Sequence, residues 1–329
     1  MKAINIRKAG LVELENDRRL PILSPGLVRL RVKYAGVGFA DVMAVKGGYP
    51  LAPRRPFSPG YEFFGHIEEP GDSALPAGAR VAGMIPRMGA YREFLDVEPR
   101  FAVPVPPDLS DETAALLPLN YLTALAMIER CAGLEKGQSF LIHGAAGGVG
   151  TAALELARVL GLRSYGSASA AKHELVASLG GIPLSREGYA WVDELRRLEG
   201  GGVDAVFDAF GLASFKRSWR ALSPRGTLVC YGMSPSIDGG NADFAKGLAY
   251  LVSRKCFGGA RHTRICGTPA IVKKDPNWYR ASLAKIFEWA SAGELKPSMA
   301  GIFPWNRCEE AHRLLASGTV RGKLLLDFS

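Results

Sequence analysis

Residues 140–161 read FLIHGAAGGVGTAALELARVLG, and this stretch decides the fold. Residues 140–143 are an apolar run of strand length. The next seven residues hold four glycines, Gly144, Gly147, Gly148 and Gly150. Val149, Ala152, Ala153, Leu156, Ala157 and Leu160 then recur at helical spacing, one face of a helix packed on a sheet. A strand that runs through a glycine-rich turn directly into a helix is the setting of a dinucleotide site. Absent Cβ atoms let the backbone approach a pyrophosphate, whose charge then lies at a helix N-terminus. The spacing is G-x-x-G-x-x-G, and Ala146, Gly147, Gly148, Val149 and Gly150 are the candidate cofactor contacts.

The end of the following strand selects the dinucleotide. NAD-binding folds usually place Asp or Glu about 20 residues beyond the glycines, bonded to the ribose 2′-hydroxyl. Here the strand at 163–167 leads into Ala168, Ser169 and Lys172 without a carboxylate. Two hydroxyls, on Ser167 and Ser169, and the Lys172 ammonium would welcome a 2′-phosphate that a carboxylate would repel. The pattern predicts NADPH as the cofactor.

Outward from the turn, strands at 139–143, 163–167, 203–207 and 227–231 alternate with helical segments, as βαβ units require. The first hundred residues instead read as short strands, at 27–37, 62–68, 80–85 and 91–97, between Gly- and Pro-rich turns. In the first of these Val28, Leu30 and Val32 point one way and Arg29, Arg31 and Lys33 the other. Ser110 is a candidate N-cap for DETAALL, and Pro118 interrupts that segment. After Gly259 come helices at 278–292 and 306–317 and a strand at 323–328. That strand finds partners most simply in the N-terminal β-unit. The predicted architecture is α/β, a Rossmann-type doubly wound parallel sheet domain inserted into a β-rich domain, with divisions at 1–118, 119–258 and 259–329.

The bulk numbers agree with this size and class. At 329 residues, with 47% apolar and 22% charged side chains, the chain exceeds one ordinary core. No apolar run of about 18 residues predicts a membrane span. The N-terminus is too polar for a secretory signal, and five scattered cysteines form no C-x-x-C pair, so a cytoplasmic location is expected. The net charge of +9 is partly local: Asp243 and Asp275 enclose seven Lys and Arg residues and no acid. Without aromatic platforms this reads as a solvated surface rather than a nucleic-acid site.

Four ordered motifs carry a family resemblance: VRLRVKYAGVGFADVMAVKGGYP with PFSPGYEFFG, then LPLNYLTAL, HGAAGGVGTAALELAR and SGTVRGKLLLDF. Together they resemble the zinc-independent quinone oxidoreductase branch of the medium-chain dehydrogenase/reductase superfamily, which includes zeta-crystallin-like proteins and the vesicle amine transport proteins. The resemblance implies a GroES-like catalytic domain around the Rossmann domain. Zinc-dependent relatives carry a cysteine where this chain has Gly38 and a histidine where it has Tyr61, so no metal is expected. Without a Lewis acid, a quinone, enone or alkenal is an easier hydride acceptor than a simple ketone, because the charge spreads to a remote oxygen.

The resemblance further implies that Tyr49 and Tyr61 serve catalysis and that Gly38, Asp41 and Asn120 line the substrate pocket. Gly38 replaces a common Asn and so leaves a wider pocket. Thr123, Gly232 and Lys323 are implied at the cofactor, and a homodimer through the outer strand of the nucleotide domain. Two alternatives stay open: a reductase of 2-enoyl thioesters, and a nucleotide-binding scaffold with vestigial activity.

Overall fold

A computed structural model describes residues 1–16, 19–232 and 240–329, with the side chains of 240–243 left aside. The chain forms two compact units, 1–122 with 268–329, and 123–267.

The first unit opens with a hairpin of β1 (Ala3–Lys8) and β2 (Leu11–Glu15). Then follow β3 (Val28–Val37), helix α1 (Phe39–Lys46), β4 (Glu62–Glu69), β5 (Arg80–Met84), β6 (Phe94–Val97) and β7 (Val103–Pro104). Arg29 on β3 does not point to solvent as the alternation predicts. It is 2% exposed because Asp96 clamps its guanidinium at 2.7 and 2.9 Å and Glu69 joins them. Charge pairing to two carboxylates is what allows a guanidinium to be buried.

Ser110 caps α2 (Asp111–Leu116), its hydroxyl accepting from the Thr113 amide at 3.2 Å. Pro118 opens α3 (Pro118–Leu125), where a missing amide proton costs nothing. A π-helical stretch, Ala126–Ala132, continues α3.

The second unit holds β8 (Ser139–His143), α4 (Gly148–Leu160), β9 (Arg163–Ala168), α5 (His173–Ser178), β10 (Ile182–Ser185), α6 (Ala190–Leu198), β11 (Val203–Asp208), α7 (Leu212–Ala221), β12 (Leu222–Cys230), α8 (Gly240–Phe257) and β13 (His262–Ile265). Among the described residues its sheet is six-stranded, ordered β10-β9-β8-β11-β12-β13, with every pairing parallel. The order reverses direction between β8 and β11, the crevice where doubly wound sheets bind ligands. The sequence reading omitted β10 and β13. Both are four-residue edge strands, and HTRI on β13 carries charge where an edge meets water.

The remaining chain supplies α9 (Thr268–Lys274), α10 (Pro276–Ser291), β14 (Met299–Pro304), α11 (Cys308–Ala316) and β15 (Lys323–Asp327). As expected, β15 returns to the first unit, parallel to β14 and antiparallel to β3, in the order β14-β15-β3-β4-β5-β7.

The basic segment between Asp243 and Asp275 is partly structural. Arg261 donates to the carbonyls of Ser223, Trp219 and Leu222 at 2.7–3.1 Å, and Arg254 and Arg261 lie over the Trp219 ring.

Candidate active site

The glycine turn of the second unit joins β8 to α4. Gly144 adopts φ +70°, and its carbonyl accepts from Gly147 at 2.9 Å. A Cβ on Gly150 would collide with that carbonyl and lie 2.6 Å from the Ala145 backbone, so the turn packs onto the helix only because Gly150 is bare. Gly147 is the N-cap of α4. The amides of Gly148, Val149 and Gly150 therefore form its first turn, which has no partner inside the helix and suits an anion. Ala146 is buried beside them, and Gly147, Gly148 and Val149 are part-exposed. The turn thus fits a pyrophosphate: bare backbone, free first-turn amides and the positive end of a 13-residue helix.

The hydroxyl of Ser167 faces inward. It bonds His143 Nδ1 at 2.7 Å, His143 Nε2 meets Ser218 Oγ at 2.9 Å, and Ser218 donates to Asp208 at 2.6 Å. All four side chains are buried, and burial holds the imidazole below its ordinary pKa, so it is neutral at pH 7. This chain ties the carboxyl ends of β8, β9 and β11 beneath the turn. The Ser167 carbonyl also accepts from the Ala145 amide at 3.2 Å. Ser169 and Lys172 bracket a 3₁₀ turn just beyond β9, both part-exposed. Gly232 follows β12, with its carbonyl accepting from the Cys230 thiol at 3.3 Å. Phe210, 45% exposed, lies against Gly144 and forms a wall of the crevice. None of His143, Asp208, Ser218 or Phe210 was marked from sequence. The available signal was an acid, Asp208, closing the apolar run at 205–207.

In the first unit Tyr61 donates to the Tyr49 hydroxyl at 3.3 Å, with the rings edge-on at 82°. Burial raises both phenols above their ordinary pKa, Tyr61 far above, so both keep their protons. Because Tyr61 spends its proton on Tyr49, the Tyr49 proton is the one available to a ligand, and Tyr49 is the more exposed of the two.

Asp41 is fully buried. Its carboxylate accepts from the amides of Gly38 at 2.8 Å and Gly60 at 2.9 Å, and Tyr91 reaches it at 3.4 Å. Asp41 therefore holds two backbone turns together. A Cβ on Gly38 would meet Asp41 Oδ2 at 3.2 Å and Leu119 Cδ2 at 3.3 Å. The space beside Gly38 is thus partly filled by Leu119 rather than simply wider.

Asn120 and Thr123 lie three residues apart on α3, each 7% exposed. The helix start is anchored by Glu62, which accepts from the Leu119 amide at 2.8 Å and pairs with Lys323. Lys323 is 4% exposed, and its ammonium is committed to Glu62. Among the described residues, no three His, Cys, Asp or Glu side chains gather as a metal site, and no helix is long and apolar enough to cross a membrane.

Comparison with known proteins agrees with this fold. The alcohol dehydrogenase GroES-like domain family matches residues 24–107, and the zinc-binding dehydrogenase family matches residues 186–326. A synaptic vesicle membrane protein VAT-1 homolog from Danio rerio is 36% identical, over 96% of this chain and 67% of its own length. A mycobacterial protein solved in complex with NADPH superposes with TM-score 0.87 at 26% identity, covering 99% of both chains. The quinone oxidoreductase from Coxiella burnetii gives TM-score 0.83 at 25% identity, over 100% of this chain and 99% of its own. The chain belongs to the medium-chain dehydrogenase/reductase superfamily of oxidoreductases, among its VAT-1-like and quinone oxidoreductase relatives.

Proposed function

We propose that the protein is a zinc-independent, NADPH-dependent reductase that delivers hydride to a quinone or an α,β-unsaturated carbonyl. The observation that carries this reading is the phenol pair: Tyr61 stands where zinc-dependent relatives place a histidine, and it donates to Tyr49. The NADPH-bound mycobacterial neighbour and the quinone oxidoreductase neighbour support the cofactor and the acceptor class.

Bound NADPH would supply the hydride. The first-turn amides of α4 and the bare turn at 144–150 would hold its pyrophosphate, and Ser169 and Lys172 would receive its 2′-phosphate. The Ser167 hydroxyl acts through His143 instead, holding the strand ends in place. Asn120 and Thr123 orient the reacting groups from α3. Tyr49 donates a hydrogen bond to the oxygen on which charge accumulates, and the raised phenol pKa keeps it a donor rather than an acid that ionises. A reducing cytoplasm suits five free thiols. Exposed Val252, Phe257 and Ile265, around the outer strand β13, suit pairing with a second copy, which light scattering reads directly.

The test is NADPH consumption against quinones, enones, alkenals and enoyl thioesters. Turnover with a conjugated class and none with simple ketones is expected. Tight NADPH binding without turnover on any class establishes the scaffold reading instead. Lys172→Glu is expected to weaken NADPH at least tenfold more than NADH. Equal losses remove Lys172 from the site.

A further inference from the structure

Asp208 ends β11 fully buried, and both of its carboxylate oxygens are engaged. Oδ1 accepts from the Phe210 amide at 2.8 Å, and Oδ2 accepts from the Ser218 hydroxyl at 2.6 Å. The first bond fixes the backbone after β11 and so sets Phe210. That ring lies so near Gly144 that a Cβ there would meet Phe210 Cζ at 3.4 Å. The second bond begins a line of hydrogen bonds with only one direction. A serine has a single proton, and Ser218 spends it on Asp208, so its oxygen accepts from His143 Nε2 at 2.9 Å. Nε2 therefore carries the proton of the neutral imidazole. Nδ1, left bare, accepts from the Ser167 hydroxyl at 2.7 Å. Every proton in the line points toward Asp208. The carboxylate itself lies 3.8 Å from Nε2, beyond hydrogen-bond reach, so it acts through Ser218.

His143 directly precedes Gly144, where the backbone takes φ +70°. Its carbonyl accepts from the Tyr231 hydroxyl at 3.1 Å. Trp191 and Phe210 meet its ring edge-on, with ring centres 5.3 and 6.4 Å away. The residue that launches the glycine turn is thus held by its carbonyl, its ring edges and both ring nitrogens.

We propose that Asp208 is a positioning residue of the nucleotide site: through Ser218 it fixes the tautomer of His143, and through its other oxygen it holds Phe210 against Gly144. One carboxylate then sets the entry to the turn that receives the pyrophosphate, an inference that rests on the NADPH reading above. A carboxylate suits this place because it offers two acceptors and no donor. In Asp208→Asn the amide oxygen stays on the Phe210 amide and the NH2 faces Ser218. Ser218 must then turn its proton to His143 Nε2, and Nδ1 becomes the protonated nitrogen, donating to Ser167. The bonds survive and their direction inverts.

Nitrogen-15 NMR of the His143 ring, with calorimetric NADPH binding by the full chain, tests this. The parent should show Nε2 protonated and Nδ1 bare. Asp208→Asn should show the reverse and largely keep its NADPH affinity, since both Phe210 and the line are still held. Asp208→Ala strips the Phe210 amide and the Ser218 hydroxyl of their acceptor and should weaken NADPH about tenfold or more. Ser218→Ala keeps the Phe210 bond, breaks only the line, and should weaken NADPH less; it serves also where Asp208→Ala does not fold. A merely structural carboxylate would lower Tm in these variants and move neither the tautomer nor Kd. The proposal is overturned by a parent His143 protonated on Nδ1, by an unchanged tautomer in Asp208→Asn, or by parental NADPH affinity in the alanine variants. A parent that binds no NADPH, its His143 spectrum as expected, overturns the cofactor reading and with it the role of Asp208.

Discussion

Tyr91 has two unlike neighbours, an acid and a base, and together they set an acid response. Its hydroxyl lies 3.4 Å from Asp41 and 3.3 Å from His312 Nε2. Burial raises the Asp41 carboxyl from 3.8 to about 6. Its contribution to stability is therefore full below its ordinary value and lost as pH rises through about 6. Burial lowers His312 from 6.5 to about 4, so its contribution is full above 6.5 and lost as pH falls through about 4. Each amounts to ~3 kcal/mol, and the two oppose each other. Between pH 6.5 and 4, Asp41→Asn should lose more stability than the parent, and His312→Gln less, by urea unfolding across pH. Parallel curves for all three proteins would refute the assignment. Tyr49→Phe should lower kcat about tenfold or more with a smaller change in KM, since its proton serves developing charge; an unchanged kcat on every acceptor makes the ring a packing group. Tyr49 and Tyr61 each lie within a sequence motif, so both could be singled out as candidates, and the structure brings their hydroxyls together. Tyr91 and His312 could not, because their contact spans 221 positions and neither stands in a motif.

At the scale of elements, the start of α3 depends on one buried ion pair. Glu62 on β4 accepts from the Leu119 amide and pairs with Lys323 at the head of β15. Lys323→Met leaves a buried carboxylate without its counter-ion and should cost about 3–5 kcal/mol. Adding Glu62→Gln should restore part of that, measured by denaturant unfolding. If Lys323→Met instead weakens NADPH while stability holds, the lysine belongs to the cofactor site as the family resemblance implied. Gly150→Ala should abolish measurable NADPH binding in calorimetry, because its methyl would have to displace the backbone of Gly144 and Ala145. Undiminished binding would show that the turn yields. The strand–turn–helix unit was legible since glycines, apolar strand and helical period are adjacent in sequence. The Ser167 hydroxyl was misjudged because alternation along a strand fixes a face, and only the fold shows that His143 occupies it.

For the chain as a whole, charge and ligand linkage give the clearest expectations. With net charge +9, binding of the polyanionic NADPH should weaken as salt rises, and more steeply than binding of NADH. At a hundredfold excess over Kd, NADPH should stabilise the folded protein by ~2.7 kcal/mol, read as a rise in Tm. Equal rises with NADH at the same concentration would argue against the extra phosphate. The insertion of one unit into the other was legible from β15, a lone apolar strand after two helices. The strand β13 near the end of the second unit was less legible, because it is a polar edge strand that resembles a loop.

The place of β15 has a consequence for synthesis. It lies between β14 and β3, so the sheet built from the earliest strands lacks an inner member until residues 323–327 leave the ribosome. Residues 123–267, complete long before, can fold during translation, while their host waits with an open seam. A nascent chain stalled before residue 323 should present that seam to chaperones, and one extended past it should not.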